Sequence, residues 1–401
     1  GNFYSVSAAW RLDQEDFIKE LTFIDNLKLR SSWGQTGNDG GISNYAWQPL
    51  YALGWNNALE PGILQSSLGS KSLEWETNTS FDVALEFGLF KNRINGTIEY
   101  FDRQSTNLIF AVPLPLSVGI QTETRNIGSM YNKGFEIQLS GDVIRTKDFV
   151  WNIDVNATKL ENKITKMPAQ SKEIIDGTKK LKEGTSLYDY WLREYKGVNP
   201  ENGVSEYRAI SFVASNSRIT PTGDTLTNNI ANARYWYNGT SIPDLTGSVT
   251  NSIRYKGFTL SALMVYQLGG KIYDAAYAGL MGAGYHNAKH VDILNRWVNP
   301  GDKTNVPRMD NGRTSDFDAA SDRWLIDGSY MNVRSVTLSY NLPKTLARKL
   351  KMDNAQVYLS GENFIMLSKR SGMNVQQNFG GTTSNVYSPA KSLVIGLSFS
   401  L

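Results

Sequence analysis

His286 and His290 stand four residues apart in a stretch, Asn287 to Val298, whose pattern reads as helical before Asn299-Pro300-Gly301 stops it. On a helix that spacing puts two imidazoles on one face, where they could share a metal. The residue after His286 is Asn287 rather than Glu, so the two-histidine zinc-hydrolase pattern fails. The reading adopted is two solvent-facing loop histidines and no metal. Asp310, Asn311, Asp316 and Asp318 could ligate calcium but lack the ordered spacing of a calcium loop; a solvated acidic loop is the expectation. Two carboxylate pairs, Glu74 with Glu76 and Asp82 with Glu86, have the residue types of a glycosidase. A spacing of two or four along a strand explains them equally well as part of one polar face. No nucleophile elbow, phosphate loop or triad-like arrangement accompanies them, so the chain is not read as an enzyme and no cofactor is expected. The remaining candidates are rings in loops: Trp47, Trp55, Trp191, Tyr235, Trp236 and Tyr237. Flat rings stack on sugars or peptide groups and leave a polar edge for hydrogen bonds. The competing reading is that they pack loops against each other or against a partner protein.

The elements that would position these residues are strands. The stretch Ser392 to Leu401 alternates strictly, with Leu393, Ile395, Leu397, Phe399 and Leu401 on one face and Ser392, Gly396, Ser398 and Ser400 on the other. Soluble strands average roughly 5–6 residues, whereas a tilted strand needs about 9–11 to cross a bilayer. This one has crossing length. The chain has 401 residues, 20% of them charged and 11% aromatic, with 35 Gly, two His and no Cys. No run approaches 18 apolar residues, which excludes a helical membrane protein but not a barrel, whose strands show an apolar residue only at every second position. The absence of Cys suits passage through an oxidising periplasm. A net charge of +3, with Lys and Arg dispersed, gives no footprint for nucleic acid. The chain opens inside an alternating segment at Gly1-Asn2-Phe3-Tyr4, which reads as the C-terminal part of a longer exported protein.

About eleven such strands follow one another. In the clearest hairpin, Phe81, Val83, Leu85, Phe87 and Leu89 alternate with polar or small residues, and Phe90-Lys91-Asn92 turns the chain into Arg93 to Tyr100. One face of this hairpin and its neighbour would carry Asp82, Glu86, Arg93, Asn95, Glu99 and Glu136, which places them toward a lumen. Lys256-Gly257 reads as a two-residue hairpin turn. Between Tyr330 and Tyr340 the apolar phase slips, Met331 and Val333 having one parity and Val336, Leu338 and Tyr340 the other, which predicts a β-bulge near Arg334 or Ser335. Tyr100, Tyr330 and Tyr340, at strand ends, are expected in an interfacial girdle. The connections near 13–26, 90–93, 141–148, 256–257 and 341–354 fall on one side and are short; those near 37–71, 111–122, 166–242, 268–327 and 367–387 fall on the other and include the long ones. Short periplasmic turns against longer extracellular loops are the asymmetry of a bacterial outer-membrane barrel. The long stretch from about Lys166 to Ser241 reads as irregular.

Several segments resemble SusC-like TonB-dependent outer-membrane transporters: Ser5 to Arg11, Leu27 to Gly34 with Thr36-Gly37-Asn38, Leu73 to Thr77, Leu89 to Thr97, Asn126 to Met130 with Asn132-Lys133-Gly134, Arg254 to Phe258, Asp327 to Tyr330 and Tyr340 to Pro343. They recur in the family's order along nearly the whole chain. The resemblance implies an all-β fold: the C-terminal portion, about eleven antiparallel strands, of a 22-stranded transmembrane β-barrel with an internal plug. It implies an integral outer-membrane location with the C-terminus periplasmic, a SusD-like surface lipoprotein as lid, energy from the TonB system, and pairing with the N-terminal half of the same barrel. Residues 1–401 would then be one piece of barrel, with plug and N-terminal extension outside it. The final Leu401, where such barrels often end in an aromatic, departs from the pattern. Import of an oligosaccharide or oligopeptide is the leading reading. A secreted or surface-attached β-rich binding protein, a glycoside-cleaving β protein, and a siderophore or cobalamin receptor are the alternatives.

Overall fold

The computed structural model describes residues 2–40, 42–169, 171–282, 288–309, 318–370, 373–376, 380–383 and 389–400. Eleven strands form one antiparallel sheet in chain order: β1 (Ser5–Arg11), β2 (Ile24–Asn38), β3 (Glu76–Leu89), β4 (Ile94–Thr106), β5 (Ser129–Arg145), β6 (Phe149–Lys166), β7 (Leu245–Tyr255), β8 (Phe258–Leu268), β9 (Tyr330–Asn341), β10 (Asn354–Ser368) and β11 (Ser392–Ser400). Each strand pairs only with its sequence neighbours, so β1 and β11 each keep one open edge in this sheet.

The pleat sorts the side chains. Across β2 to β6 the register sets Arg30 opposite Ala84, Ala84 opposite Glu99, Glu99 opposite Glu136 and Glu136 opposite Thr158, a polar row on one face. The opposite face has Leu85, Ile98 and Ile137 in one row and ends in β11 with Ile395 and Leu397, 75% and 73% exposed. A continuous face of bare Leu, Ile, Val and Phe is far larger than the apolar patches a soluble monomer exposes; it is a surface made for hydrocarbon. Rings flank it. Phe149 lies 6.5 Å from Tyr255 and Phe258 lies 4.4 Å from Tyr340 at the short-turn end, and Tyr100 lies 5.2 Å from Phe135 toward the other.

Arg334 is skipped in the pairing of β9 with both β8 and β10, the bulge that the slipped phase foretold. The same bulge corrects one expectation. Tyr330 pairs with Gln267, and Gln267 with Thr246, in the polar row that contains Thr158 and Glu136. Tyr330 therefore belongs to the polar face and not to the girdle on the apolar one.

The two ends differ. At one, the strands are joined through 12–23, 90–93, 146–148, 256–257 and 342–353; at the other through 39–75, 107–128, 167–244, 269–329 and 369–391. The turn at 90–93 is tight because Phe90, Lys91 and Asn92 all adopt left-handed φ, 56°, 63° and 54°. The amide of Asn92 donates to Asp25 Oδ2 at 2.8 Å, which holds the turn against the preceding connection.

The long connections are not irregular, contrary to the expectation for 166–241. Segment 167–244 folds into two four-stranded sheets, one of Glu173–Asp176, Lys179–Lys182, Asp189–Arg193 and Tyr235–Thr240, the other of Tyr195–Val198, Ser205–Arg208, Ser217–Ile219 and Thr225–Thr227. Together with 269–329 it buries Tyr190, Leu192, Tyr273, Ala278, Met281, Val306 and Trp324 in one cluster. Among the described residues the largest buried side chains thus lie in the loops and not in the sheet. Segment 369–391 is strapped onto this loop domain: the Tyr273 amide donates to Gly381 O at 2.7 Å and the Thr383 amide to Tyr273 O at 3.0 Å. Gly381, at φ 78°, has no room for a side chain, since a Cβ would come within 2.1 Å of the Tyr190 hydroxyl. Ion pairs Lys369–Asp327 at 2.8 Å and Arg370–Asp274 at 3.1 Å, the latter on a carboxylate that is 3% exposed, tie down the start of the strap.

Candidate functional site

Two surfaces carry polar and aromatic groups arranged for recognition. The first is the polar face of β2 to β7. Arg30 bridges two carboxylates, Glu86 at 2.8 Å and Glu99 at 2.5 Å, while Lys28 reaches Glu86 at 3.2 Å. These groups are half-buried: Lys28 lies directly opposite Glu86, Arg30 diagonally from it, and Glu99 one strand further on across the small Ala84, which is how a polar barrel wall satisfies its charges. Asp82 sits two same-face positions from Glu86, with Ala84 between them, and lies opposite Ser32. Asn95 donates to Asn92 O at 2.9 Å. Arg93 lies in the turn before β4, its guanidinium donating to the carbonyls of Asp142 and Val143 at 3.2 and 3.3 Å. Glu136 faces the same side as Glu99. Beside this wall Asn95, Thr97, Gln138, Ser140, Asp154 and Asn156 line an open polar recess.

The second surface is the outer face of the sheet that contains Asp189–Arg193. Tyr190 and Leu192 point into the loop core, so Trp191 points away from it. Trp191 stacks on Tyr235 at 6.1 Å and meets Tyr237 at 4.7 Å. Lys180 Nζ lies 4.2 Å over the Trp191 ring, and the Arg193 guanidinium 4.7 Å over Tyr235. The result is a strip of three rings with cations laid along it. Trp236 faces the other way, opposite Leu192, under the Arg234 guanidinium at 4.7 Å, and is 54% exposed. Trp47 and Trp55 stand exposed on the 39–75 connection and pair with none of these rings among the described residues. The structure therefore brings Trp191, Tyr235 and Tyr237 together and leaves the other three apart.

Lys179, next to this strip, is held under the protein. Its Nζ donates to Tyr188 O at 2.7 Å and lies 3.3 Å over the Tyr190 ring. Burial outweighs the pull of Asp189 and pushes the amine down to about 7. A base whose folded value lies below its unfolded one makes stability rise with pH across the interval between them, here from about 7 to 10.5, and leaves it flat below. Lys179→Met should therefore raise the protease resistance of the loop domain at pH 7 and remove its rise with pH up to 10; an unchanged profile would show that Lys179 does not carry it.

Of the carboxylates considered for catalysis, Glu86 is taken up by Arg30 and Lys28 and Glu76 by two neighbours. Glu76 accepts from Asn38 Nδ2 at 2.8 Å and from the Ile109 amide at 2.9 Å, tying two connections together. His290 caps the 3-10 turn Val291–Asn295, its Nδ1 accepting from the Asp292 amide at 3.2 Å; this turn replaces the helix expected over Asn287 to Val298, because only Val291–Asn295 closes its hydrogen bonds among the described residues. His286, Asp310, Asn311 and Asp316 lie outside the described residues. Burial raises the Asp318 carboxyl. Sequence reasoning missed Arg30 and Lys28 as partners of Glu86, and Lys180 and Arg193 as companions of the rings. Their alternation with apolar neighbours was the available signal.

A lipid-facing sheet with tight turns at one end and folded connections at the other defines the wall of an outer-membrane β-barrel. The chain belongs to the TonB dependent receptor-like, beta-barrel family, whose model matches residues 1–364. It is 28% identical over 398 residues to TonB-dependent receptor P3 of Formosa agariphila, covering 94% of this chain and 38% of that protein. It is 27% identical over 422 residues to TonB-dependent receptor SusC of Bacteroides thetaiotaomicron, covering 99% of this chain and 40% of that one. The chain thus spans about two fifths of the length of these relatives. Among solved structures, the RagAB peptide transporter superposes with a TM-score of 0.87 at 24% identity, over 99% of this chain and 43% of that one; at that identity the likeness speaks for the fold.

Proposed function

We propose that residues 1–401 form the C-terminal wall and loop domain of a SusC-type TonB-dependent importer that takes up an oligosaccharide or oligopeptide. The plug, the N-terminal extension and the N-terminal half of the barrel lie outside this piece, and the TonB system acts through them. In this reading the short turns and the C-terminus are periplasmic and the folded connections extracellular, where a SusD-like lipoprotein closes over them. The carrying observation is the loop domain itself: connections with their own buried core can present a fixed surface to cargo and lid, while the wall below stays polar. SusC, alike in sequence, and the RagAB peptide transporter, alike in fold, support an importer of this type, the latter with a peptide as its cargo. No chemistry on the cargo is invoked; the chain positions and admits.

The ring strip of Trp191, Tyr235 and Tyr237, with Lys180 and Arg193, is the proposed contact surface. Replacing Trp191 and Tyr235 by Ala in the full-length receptor should weaken binding of cargo or of the lid by about tenfold or more, since stacked, cation-flanked rings contribute on the order of 1–2 kcal/mol. The check is a titration with a panel of oligosaccharides and oligopeptides and with the purified lipoprotein. Unchanged affinity for all of them would remove the strip from the site.

A further inference from the structure

The outward face of β6 does not stop at the hydrocarbon. Trp151, Ile153, Val155 and Ala157 make its apolar series, and the next residues of the same parity are Lys159, Glu161 and Lys163. On the adjacent strand β5, Phe135 pairs with Lys159, Lys133 with Glu161 and Tyr131 with Lys163. These three rungs start at the ring pair of Tyr100 and Phe135 and run on toward the end that carries the folded connections. Lys133 is one rung from Lys159 and one from Lys163 across the strand pair, diagonal positions about 7–8 Å apart by sheet geometry, a span that one phosphate can bridge.

The cluster is ordered and keeps a net positive charge, three lysines standing against Glu161 and against Asp102, which faces Lys133 from β4. Glu161 is shared by Lys163 at 2.8 Å and Lys133 at 3.8 Å, and accepts from the Tyr131 hydroxyl at 3.0 Å. Lys133 Nζ also lies 4.5 Å over the Tyr131 ring, which holds its side chain flat along the strand. Lys159 is exposed, and its ammonium has no ion-pair or hydrogen-bond partner among the described residues. Cations at the headgroup level of an apolar wall attract anionic lipid heads, and the attraction fades within a Debye length.

We propose that Lys133, Lys159 and Lys163 bind the phosphate of an outer-leaflet glycolipid headgroup, which competes with Glu161 for the two flanking ammonium groups. The site rests on the reading of this sheet as an outer-membrane wall, but needs nothing from the lumen or the import cycle. Its position places one lipid beside the β5–β6 hairpin, the longest pair of strands in the sheet at 17 and 18 residues.

The test uses the full-length receptor in detergent, titrated with lipid A and with enzymatically dephosphorylated lipid A and read by native mass spectrometry. Phosphorylated lipid A should bind the unmodified receptor, and the combined Lys133→Gln, Lys159→Gln, Lys163→Gln variant should lose about 100-fold in affinity. Glu161→Gln, which frees two ammonium groups and does not threaten the fold, should bind the same lipid several-fold more tightly. Equal binding of the dephosphorylated lipid, an unaffected triple variant, weaker binding by Glu161→Gln, or full displacement by millimolar inorganic phosphate would each overturn the proposal. Failure of the membrane-wall reading would show differently, as a receptor that stays in solution without detergent.

Discussion

Replacing Ile395 by lysine is expected to cost the full-length barrel about 2–4 kcal/mol, the penalty of a cation near the middle of a lipid-facing strand. Ile395 is the fourth residue of the nine in β11 and pairs with Leu359 on the outward face. Ser398→Lys, three residues on and of lumen parity opposite Gln356, is the control and should be close to neutral. Urea unfolding of the receptor in lipid vesicles, read by the loss of heat-modifiable migration on gels, measures both. The pair separates the two readings of an exposed apolar face. Ile395 is 75% exposed in the isolated sheet, so in water a lysine there would lose little packing and gain hydration. Only in hydrocarbon does the same change cost several kcal/mol, because the ammonium must be dragged to the interface or desolvated. Leu393→Lys and Phe399→Lys, nearer the strand ends, should cost less in proportion to depth, and a flat series across the three positions would contradict a membrane around this strand.

The wall was legible because it obeys a local rule. Period-two alternation in Phe81 to Leu89 or Leu393 to Phe399 reports a strand and its two faces without knowledge of any partner, and even the bulge at Arg334 showed as a slip of phase. Strand ends were less legible: β3 begins at Glu76 and β6 runs to Lys166, well past the apolar series, since outside the bilayer a ladder continues on hydrogen bonds with no hydrophobic signature. The ion pairs of the polar face were half visible. Glu86 and Glu99 could be assigned a face, but Arg30 lies 56 and 69 residues from them and meets them only through the register of three strands. Least legible was the loop domain. Its strands are three to six residues long, too short for a period to declare itself, and its core joins Tyr190 to Trp324 across more than a hundred residues. Gly, Asn and Pro punctuation described its turns correctly and said nothing about what those turns enclose.

That core is where the second large effect is expected. Trp324 is 1% exposed, donates from Nε1 to Ala319 O at 3.1 Å, and stands edge-on to Tyr277 at 5.9 Å. Trp324→Ala removes the largest side chain of the cluster and should cost about 3–5 kcal/mol. The cost falls on the loop domain alone, because the wall below is held by its own ladder and by lipid. Limited proteolysis of receptor in intact membranes should then cut within 167–244 and 269–329 while the wall stays folded and heat-modifiable. Uptake and lid binding should be lost together, since the ring strip that includes Trp191 is the back of the sheet whose front is this core. Trp47→Ala, at a ring 54% exposed, should leave proteolysis unchanged. Collapse of the whole barrel in the Trp324 variant would show that wall and loops fold as one unit; unchanged proteolysis with normal uptake would show that the loop core does not hold the binding surface in place. A wall built for lipid needs no such core to stand. The loops have one, as the proposed role of meeting cargo at a fixed shape requires.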